Sequence, residues 1–319
     1  MQYLRFLFLN LVFILICLTI GIHYKVSIEE PILIEIQKGY SSSQISELLE
    51  EEELIINSFL FNFYTRIISN DKSIKAGEYM IDRSESIYSL IFKLSEGDNF
   101  QRKIILLPGS TLQEIYSLRQ QRGIVDDLGK NPAIYLDKMS IPFEEGVFFP
   151  DTFFFEKGES FSSILKKSHN KWLTVFEPLW MNRKKNLPYK NIMEAITLAS
   201  IIEKEGLEKE KIASVFVNRL KKNMKLQSDP TVIYALGKDF DGDIKKKDLR
   251  IDNPYNTYKY KGLPPGPISI VSESSFKAAL NPQDTDYLYF VSMGNGLHKF
   301  SKNLREHNQA VLKYQINAR

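Results

Sequence analysis

The sequence predicts an α+β protein: an N-terminal single transmembrane helix, a small α+β module and a larger mixed α+β domain. Three observations carry this. The stretch from Phe6 to Ile22 holds no charged side chain. Residues 32–100 read as β-branched strands alternating with amphipathic helices. From residue 101 onward, helical patterns are separated by short aromatic strands and one Pro/Gly-rich loop. The expected bounds are 1–25, 32–100 and 101–319. With 319 residues, 43% hydrophobic and 25% charged, the chain has length and apolar content for two or three folded domains.

The apolar stretch lies near the short end of a bilayer-spanning helix at ~1.5 Å per residue. No small-x-small cleavage site follows it. Ile14-Leu15-Ile16-Cys17 lacks the small residue a lipoprotein site needs. It therefore reads as a retained single-pass anchor. Arg5 and the amino terminus precede it, and Lys25, Glu29 and Glu30 follow. That charge order favours a cytoplasmic N-terminus and, in a bacterium, a body outside the cytoplasmic (inner) membrane. Cys17 is the only cysteine, so no intrachain disulfide can form. The net charge of +3, from 42 basic and 39 acidic residues, offers no field for a nucleic acid.

Within the small module, Ile32, Ile34 and Ile36 alternate as a strand, and Lys38-Gly39 turns the chain. Ser41 with Gln44 three residues later is a capping box, opening a helix to about Glu52. A second helix is expected over 57–68 and a strand over KAGEYMI (75–81). A third helix is expected from a Ser84 cap to Gly97. Strand–helix–helix–strand is the pattern of LysM-like modules, which bind glycan. Downstream, KIILLPG (103–109) is a strand and turn, 111–140 is helical and irregular, and 144–155 is an aromatic strand or loop. A further helix is expected from about 160 to 182.

The chemistry concentrates in 188–316. Over residues 191–205, Ile192, Ala195, Ile196 and Ala199 line one helical face, which Glu203 continues. Leu198, Ile201 and Ile202 line the next face, which Glu205 continues. Each glutamate ends an apolar row, so either is placed to lose water and hold its proton. Periodicity does not choose between them. Asn218, Arg219, Gln227, Ser228 and Asp229 then punctuate an apolar helix and its exit. The loop DNPYNTYKYKGLPPGPIS (252–269) follows, and LYFVS leads on to His298, His307 and Asn308. The two histidines have no carboxylate at ligand spacing, so no metal site is expected.

Five stretches then stand in order: LASIIEKE, IASVFVNRL, LQSDPTVIYALG, PYNTYKYKGLPPGPI and YLYFVSMGNGLHKFSKNLREHN. With KAGEYMI and EEGVFFPDT upstream, the chain resembles the endolytic murein transglycosylase (YceG-like) family over essentially its whole length. The resemblance implies a membrane-anchored lyase of nascent peptidoglycan glycan strands. Such a lyase cuts the β-1,4 bond between N-acetylmuramic acid and N-acetylglucosamine, leaves a 1,6-anhydro end, needs no cofactor and works alongside peptidoglycan synthases. It makes Glu205 the catalytic acid, with Glu203 and Asn218 in support. Gln227, Asp229, Asn256 and Tyr258 would hold acetamido groups or stabilise developing charge. Two departures stand out. Gly206 occupies a position where the family often has threonine, and Phe153 one where it often has tyrosine or tryptophan. Two other readings remain open: a non-catalytic glycan-binding scaffold, and a hydrolase using Glu205 with Asp229.

Overall fold

The computed structural model describes residues 2–25, 28–68, 73–83, 85–129, 141 and 144–316. It is a mixed α+β chain that divides into two compact units. The first comprises 1–102 and 154–158, the second 103–153 and 159–319.

The first unit begins with helix α1 (Gln2–His23). Its Arg5–His23 portion is long and apolar enough to cross a membrane, with a mean hydropathy of 2.5, and none of it is buried in protein. Strand β1 (Ile32–Ile36) leads to α2 (Ser42–Glu51), α3 (Ser58–Ile68), β2 (Gly77–Ile81) and α4 (Ile87–Glu96). The Ser41–Gln44 capping box forms in both directions, an arrangement worth about 1 kcal/mol of helix stability. β1 and β2 pair antiparallel with Ile34 opposite Tyr79. Ile34, Ile36, Tyr79 and Ile81 then bury one face against Leu49, Phe61, Leu90 and Leu94 of the helices. Ser84 lies outside the described residues. The side chain that caps α4 is Ser86, which accepts from the Ser89 amide, and Gly97 closes the helix at φ +73°. One residue, Glu85, separates these serines in one polar run, and the cap is the serine that directly precedes the first buried isoleucine, Ile87. Phe59, Leu60, Phe63 and Ile67 of α3, with Ile56 just before the helix, stay exposed.

In the second unit, β3 (Arg102–Ile105) and α5 (Leu112–Ser117) precede β4 (Thr152–Phe155) and α6 (Phe161–Met181). The unit division falls within β3 and β4, so each strand gives residues to both units. Residues 130–140, expected as part of a helical and irregular stretch, lie outside the described residues. α6 grips the segment after Glu145: Trp172 Nε1 donates to the Gly146 carbonyl at 2.8 Å, and Ser168 Oγ both receives from and donates to Phe149 at 2.9 Å. Gly146 has φ +81°, and a β-carbon there would sit 2.8 Å from Ile196 and Pro267, so only glycine fits. Phe153 is buried, and its ring packs.

Helix α7 (Ile192–Glu205) is the spine of this unit. Ala195, Ile196, Leu198, Ala199, Ile201 and Ile202 are all fully buried. A helix apolar on two adjoining faces must be wrapped by protein. α8 (Lys209–Lys221), α9 (Asp229–Leu236) and α10 (Glu273–Leu280) surround it. β5 (Tyr289–Ser292) and β6 (His298–Ser301) form an antiparallel hairpin before α11 (Leu304–Val311). The sequence reading has LYFVS leading directly toward the histidines. The structure inserts β6, and Gly294 and Gly296 at φ near +80° make its turn. Residues 252–269 form neither helix nor strand.

Candidate active site

Glu203 and Glu205 leave the end of α7 toward different surroundings. The Glu203 carboxylate receives the Ser272 amide (2.8 Å) and Ser272 Oγ (2.5 Å) on one oxygen and Lys209 Nζ (3.1 Å) on the other. Burial pushes its pKa up. The hydrogen bonds from Ser272 and Ser275 and the Lys209 charge outweigh burial, and the net shift is downward. It is an ionised strut joining α7 to the start of α10.

Glu205 is half-buried and poorly supplied with partners. Ser228 Oγ donates to Oε1, and no other hydrogen bond reaches its carboxyl among the described residues. Burial dominates, Asp229 adds like charge, and Ser228 and Arg219 pull the other way. The outcome is a pKa raised to about 7. The carboxyl also stands at the negative end of a helix, which favours the neutral form. A carboxyl poised near neutrality can give a proton and take one back at one pH.

Ser228 is held for this task. It occupies the N-cap position of α9, yet its hydroxyl faces Glu205 instead of capping the helix. Its amide donates to Thr257 Oγ1 at 3.0 Å, its carbonyl accepts from Thr231 Oγ1 at 2.7 Å, and the two threonine hydroxyls lie 2.8 Å apart. All three side chains are at most 2% exposed. Because Ser228 favours the carboxylate, Ser228→Ala is expected to raise the Glu205 pKa above about 7. A carbon-13 NMR titration of the glutamate carboxyls measures this, and an unmoved or lowered midpoint counts against the assignment.

Arg219 fixes the strand of chain that carries Ser228. It is 6% exposed. Its Nη1 donates to the Leu226 carbonyl at 2.6 Å and its Nε to the Leu288 carbonyl at 2.6 Å. Its guanidinium sits 5.1 Å from the centre of the Tyr289 ring. Asn218, one residue earlier, donates to the carbonyls of Thr285 and Tyr287 at 2.7 and 3.0 Å. It ties α8 to the approach of β5.

The remaining sequence candidates divide. Gln227 is exposed at φ +52° beside Ser228. Asp229 is exposed and accepts from the Tyr258 hydroxyl at 2.5 Å. Burial and this neighbour raise the Tyr258 pKa well above the usual tyrosine value, so the phenol stays a donor. Gln227, Asp229 and Tyr258 thus gather on the Ser228 side of Glu205. Asn256 does not join them at the surface. It is fully buried, its Nδ2 donates to the Leu249 and Ile251 carbonyls, and its Oδ1 accepts from the Tyr258 amide at 3.0 Å. Its amide shapes the loop that presents Tyr258.

Gly206, with φ +156° and ψ −164°, lets the chain leave α7 against His298. A β-carbon there would lie 2.9 Å from the His298 ring. His298 Nδ1 lies 3.4 Å from Glu208, and His307 stacks on Tyr289 with ring centres 5.1 Å apart. Among the described residues no group of three or more His, Cys, Asp or Glu is placed to hold a metal ion.

An apolar helix wrapped by protein and ending in one sparsely bonded carboxyl, with polar side chains gathered beside it, is the layout of an enzyme. The chain belongs to the YceG-like family, whose sequence profile matches residues 34–313. It is 36% identical to an endolytic murein transglycosylase of Bacillus subtilis, over 88% of this chain and 84% of that protein. It is 28% identical to an endolytic murein transglycosylase of Streptococcus pneumoniae, over 89% of this chain and 58% of that protein. A crystal structure of a putative yceG-like protein from Listeria monocytogenes superposes with a TM-score of 0.56 at 34% identity, covering 88% of this chain and 99% of that one.

Proposed function

We propose that this chain is an endolytic peptidoglycan lytic transglycosylase in which Glu205 is the only acid–base group. The observation that carries the proposal is the contrast at the end of α7. Glu203 is fully bonded and ionised, whereas Glu205 holds one hydroxyl and a pKa near neutrality. Protonated Glu205 gives its proton to the oxygen linking N-acetylmuramic acid to N-acetylglucosamine. The C1–O bond breaks and an oxocarbenium-like sugar forms. The C6 hydroxyl of that sugar closes on C1, and the Glu205 carboxylate takes the hydroxyl proton. The acid is regenerated and a 1,6-anhydro end is left. Ring closure is intramolecular, so no water has to be held and the effective concentration of the nucleophile is high. Gln227, Asp229 and Tyr258 flank the reacting sugars and orient their acetamido groups, while Glu203, Asn218 and Asn256 hold the frame. No cofactor takes part.

The β1–α2–α3–β2 unit is assigned as a LysM-like glycan-binding module over residues 32–100, and 101–319 as the catalytic domain. α1 is assigned as the anchor at the cytoplasmic membrane, with the N-terminus inside. Its exposed leucine, isoleucine and phenylalanine side chains support that role. An enzyme so placed meets glycan strands as synthases extrude them. Digestion of purified glycan strands, with mass spectrometry of the fragments, tests the chemistry. The expected fragments end in 1,6-anhydro-muramic acid and carry no added water. Reducing ends bearing an added water would instead indicate a hydrolase.

A further inference from the structure

A cavity of about 840 Å³ opens in the second unit beside the end of α7. Its walls include Leu112, Glu145, Lys204, Ile233, Lys238 and Ile268. Lys204 is the residue before Glu205, so on a helix it points about 100° round from the proposed acid. Pro230, next to Asp229, also lines the cavity. Cavity and candidate acid therefore share two neighbouring stretches of chain. A volume of this size suits a short oligomeric ligand.

The charges have a definite sense. Lys204 and Lys238 are exposed and form no ion pair among the described residues. Two carboxyls also reach the wall. Glu114 turns back on Thr111, accepting from its amide at 2.7 Å and from its hydroxyl at 3.1 Å. Glu145 accepts from the Leu112 amide at 2.9 Å and from the Tyr234 hydroxyl at 3.3 Å. Burial is the main cause that raises its pKa to about 7. Both carboxyls are hydrogen-bonded within the protein, whereas neither lysine has a hydrogen-bond or ion-pair partner among the described residues; the Lys204 charge acts on Glu145 only through space, opposing the rise of its pKa. The uncharged wall combines the aliphatic Leu112, Ile233 and Ile268, which suit small methyl-bearing side chains, with the rings of Tyr116 and Tyr234.

We propose that this cavity is the subsite for the acidic stem peptide that branches from the muramic sugar. The peptide carboxylates meet Lys204 and Lys238, and its small aliphatic side chains lie on Leu112, Ile233 and Ile268. The assignment rests on the reading of the chain as a peptidoglycan-cleaving enzyme and names the part of that substrate which the cavity takes. A sugar strand held across Glu205 has its peptide branch beside the bond that breaks, and a pocket one helical step away accepts it.

The test uses the full chain with the free stem tetrapeptide released from peptidoglycan by an amidase. Calorimetry is expected to show equal binding to the wild type and to Glu205→Gln. Binding should be at least tenfold weaker for the Lys204→Ala/Lys238→Ala double variant, and lost when Ile233→Trp fills the cavity. In parallel, the ratio of kcat/KM on peptide-bearing strands to that on peptide-free strands is expected to exceed one and to fall toward one in the double variant. No peptide binding by the wild type, or an unchanged ratio in the double variant, overturns the assignment even if strands are cut. Equal losses on both strand types also overturn it, because they mark a sugar subsite. Peptide binding without strand cleavage would support the cavity and overturn the reading of the chemistry.

Discussion

Glu205→Gln is expected to reduce strand cleavage by a factor of about 10³, within the range typical of a removed general acid or base. It is also expected to leave a better-folded protein at alkaline pH. The folded-state pKa of Glu205 is raised from 4.5 to about 7. Between those values the folded protein keeps the proton and the unfolded chain has released it. Stability therefore falls as pH rises through that window, and the loss is complete above pH 7. The gap of about 2.5 pH units corresponds to at most about 3 kcal/mol for this group. Glutamine does not titrate. At pH 8 the variant should melt above the wild type, and the two curves should converge toward pH 5. Calorimetric melting across pH 5–8, with cleavage assays alongside, measures both halves. A variant that keeps wild-type cleavage would end the single-acid mechanism. A variant less stable at pH 8 would mean that the Glu205 carboxyl is not held neutral by its surroundings.

Arg219→Ala carries the second large expected effect. The arginine acts on the Glu205 region from within the protein, since it is itself buried. Its removal leaves the Leu226 and Leu288 carbonyls without their charged donor. Stranding buried acceptors of this kind costs about 1–3 kcal/mol each. The sum corresponds to a fall in melting temperature on the order of 10 °C for a chain of this size. It also frees the segment that presses Ser228 against Glu205 and removes a positive charge that lowers the Glu205 pKa. The falling limb of the pH–rate profile should therefore move to higher pH. Arg219→Lys restores the charge with a point donor in place of a fork, so it should recover the limb more fully than the stability. An Arg219→Ala protein that melts and titrates like the wild type would remove Arg219 from the positioning of Ser228.

What could be read from the chain beforehand was mostly local. The Ser41–Gln44 box and the β1 alternation depend on residues a few positions apart, and the apolar wrap of α7 is written in its own period. The hairpin strand β6 was also within reach, since MGNG between two β-rich stretches is a turn signal. The difference between Glu203 and Glu205 was not. Both end apolar rows, and what separates them is the supply of donors from distant chain. Ser272 comes to Glu203 from 69 residues away, and Ser228 to Glu205 from 23. Arg219 and Glu145 were likewise plain polar letters in the sequence. Arg219 acquires meaning only when Leu288 folds back over α8, and Glu145 only when Leu112 and Tyr234 close round it.

The ring of Ser228, Thr231 and Thr257 bears on how such a protein can change over generations. Each hydroxyl is sealed from water and bonded within the ring or to the acid. Swapping one alone strands a neighbour in a dry interior. Viable descendants should therefore exchange the two threonines together or keep both, and a laboratory search that varies one position at a time would miss the paired solutions.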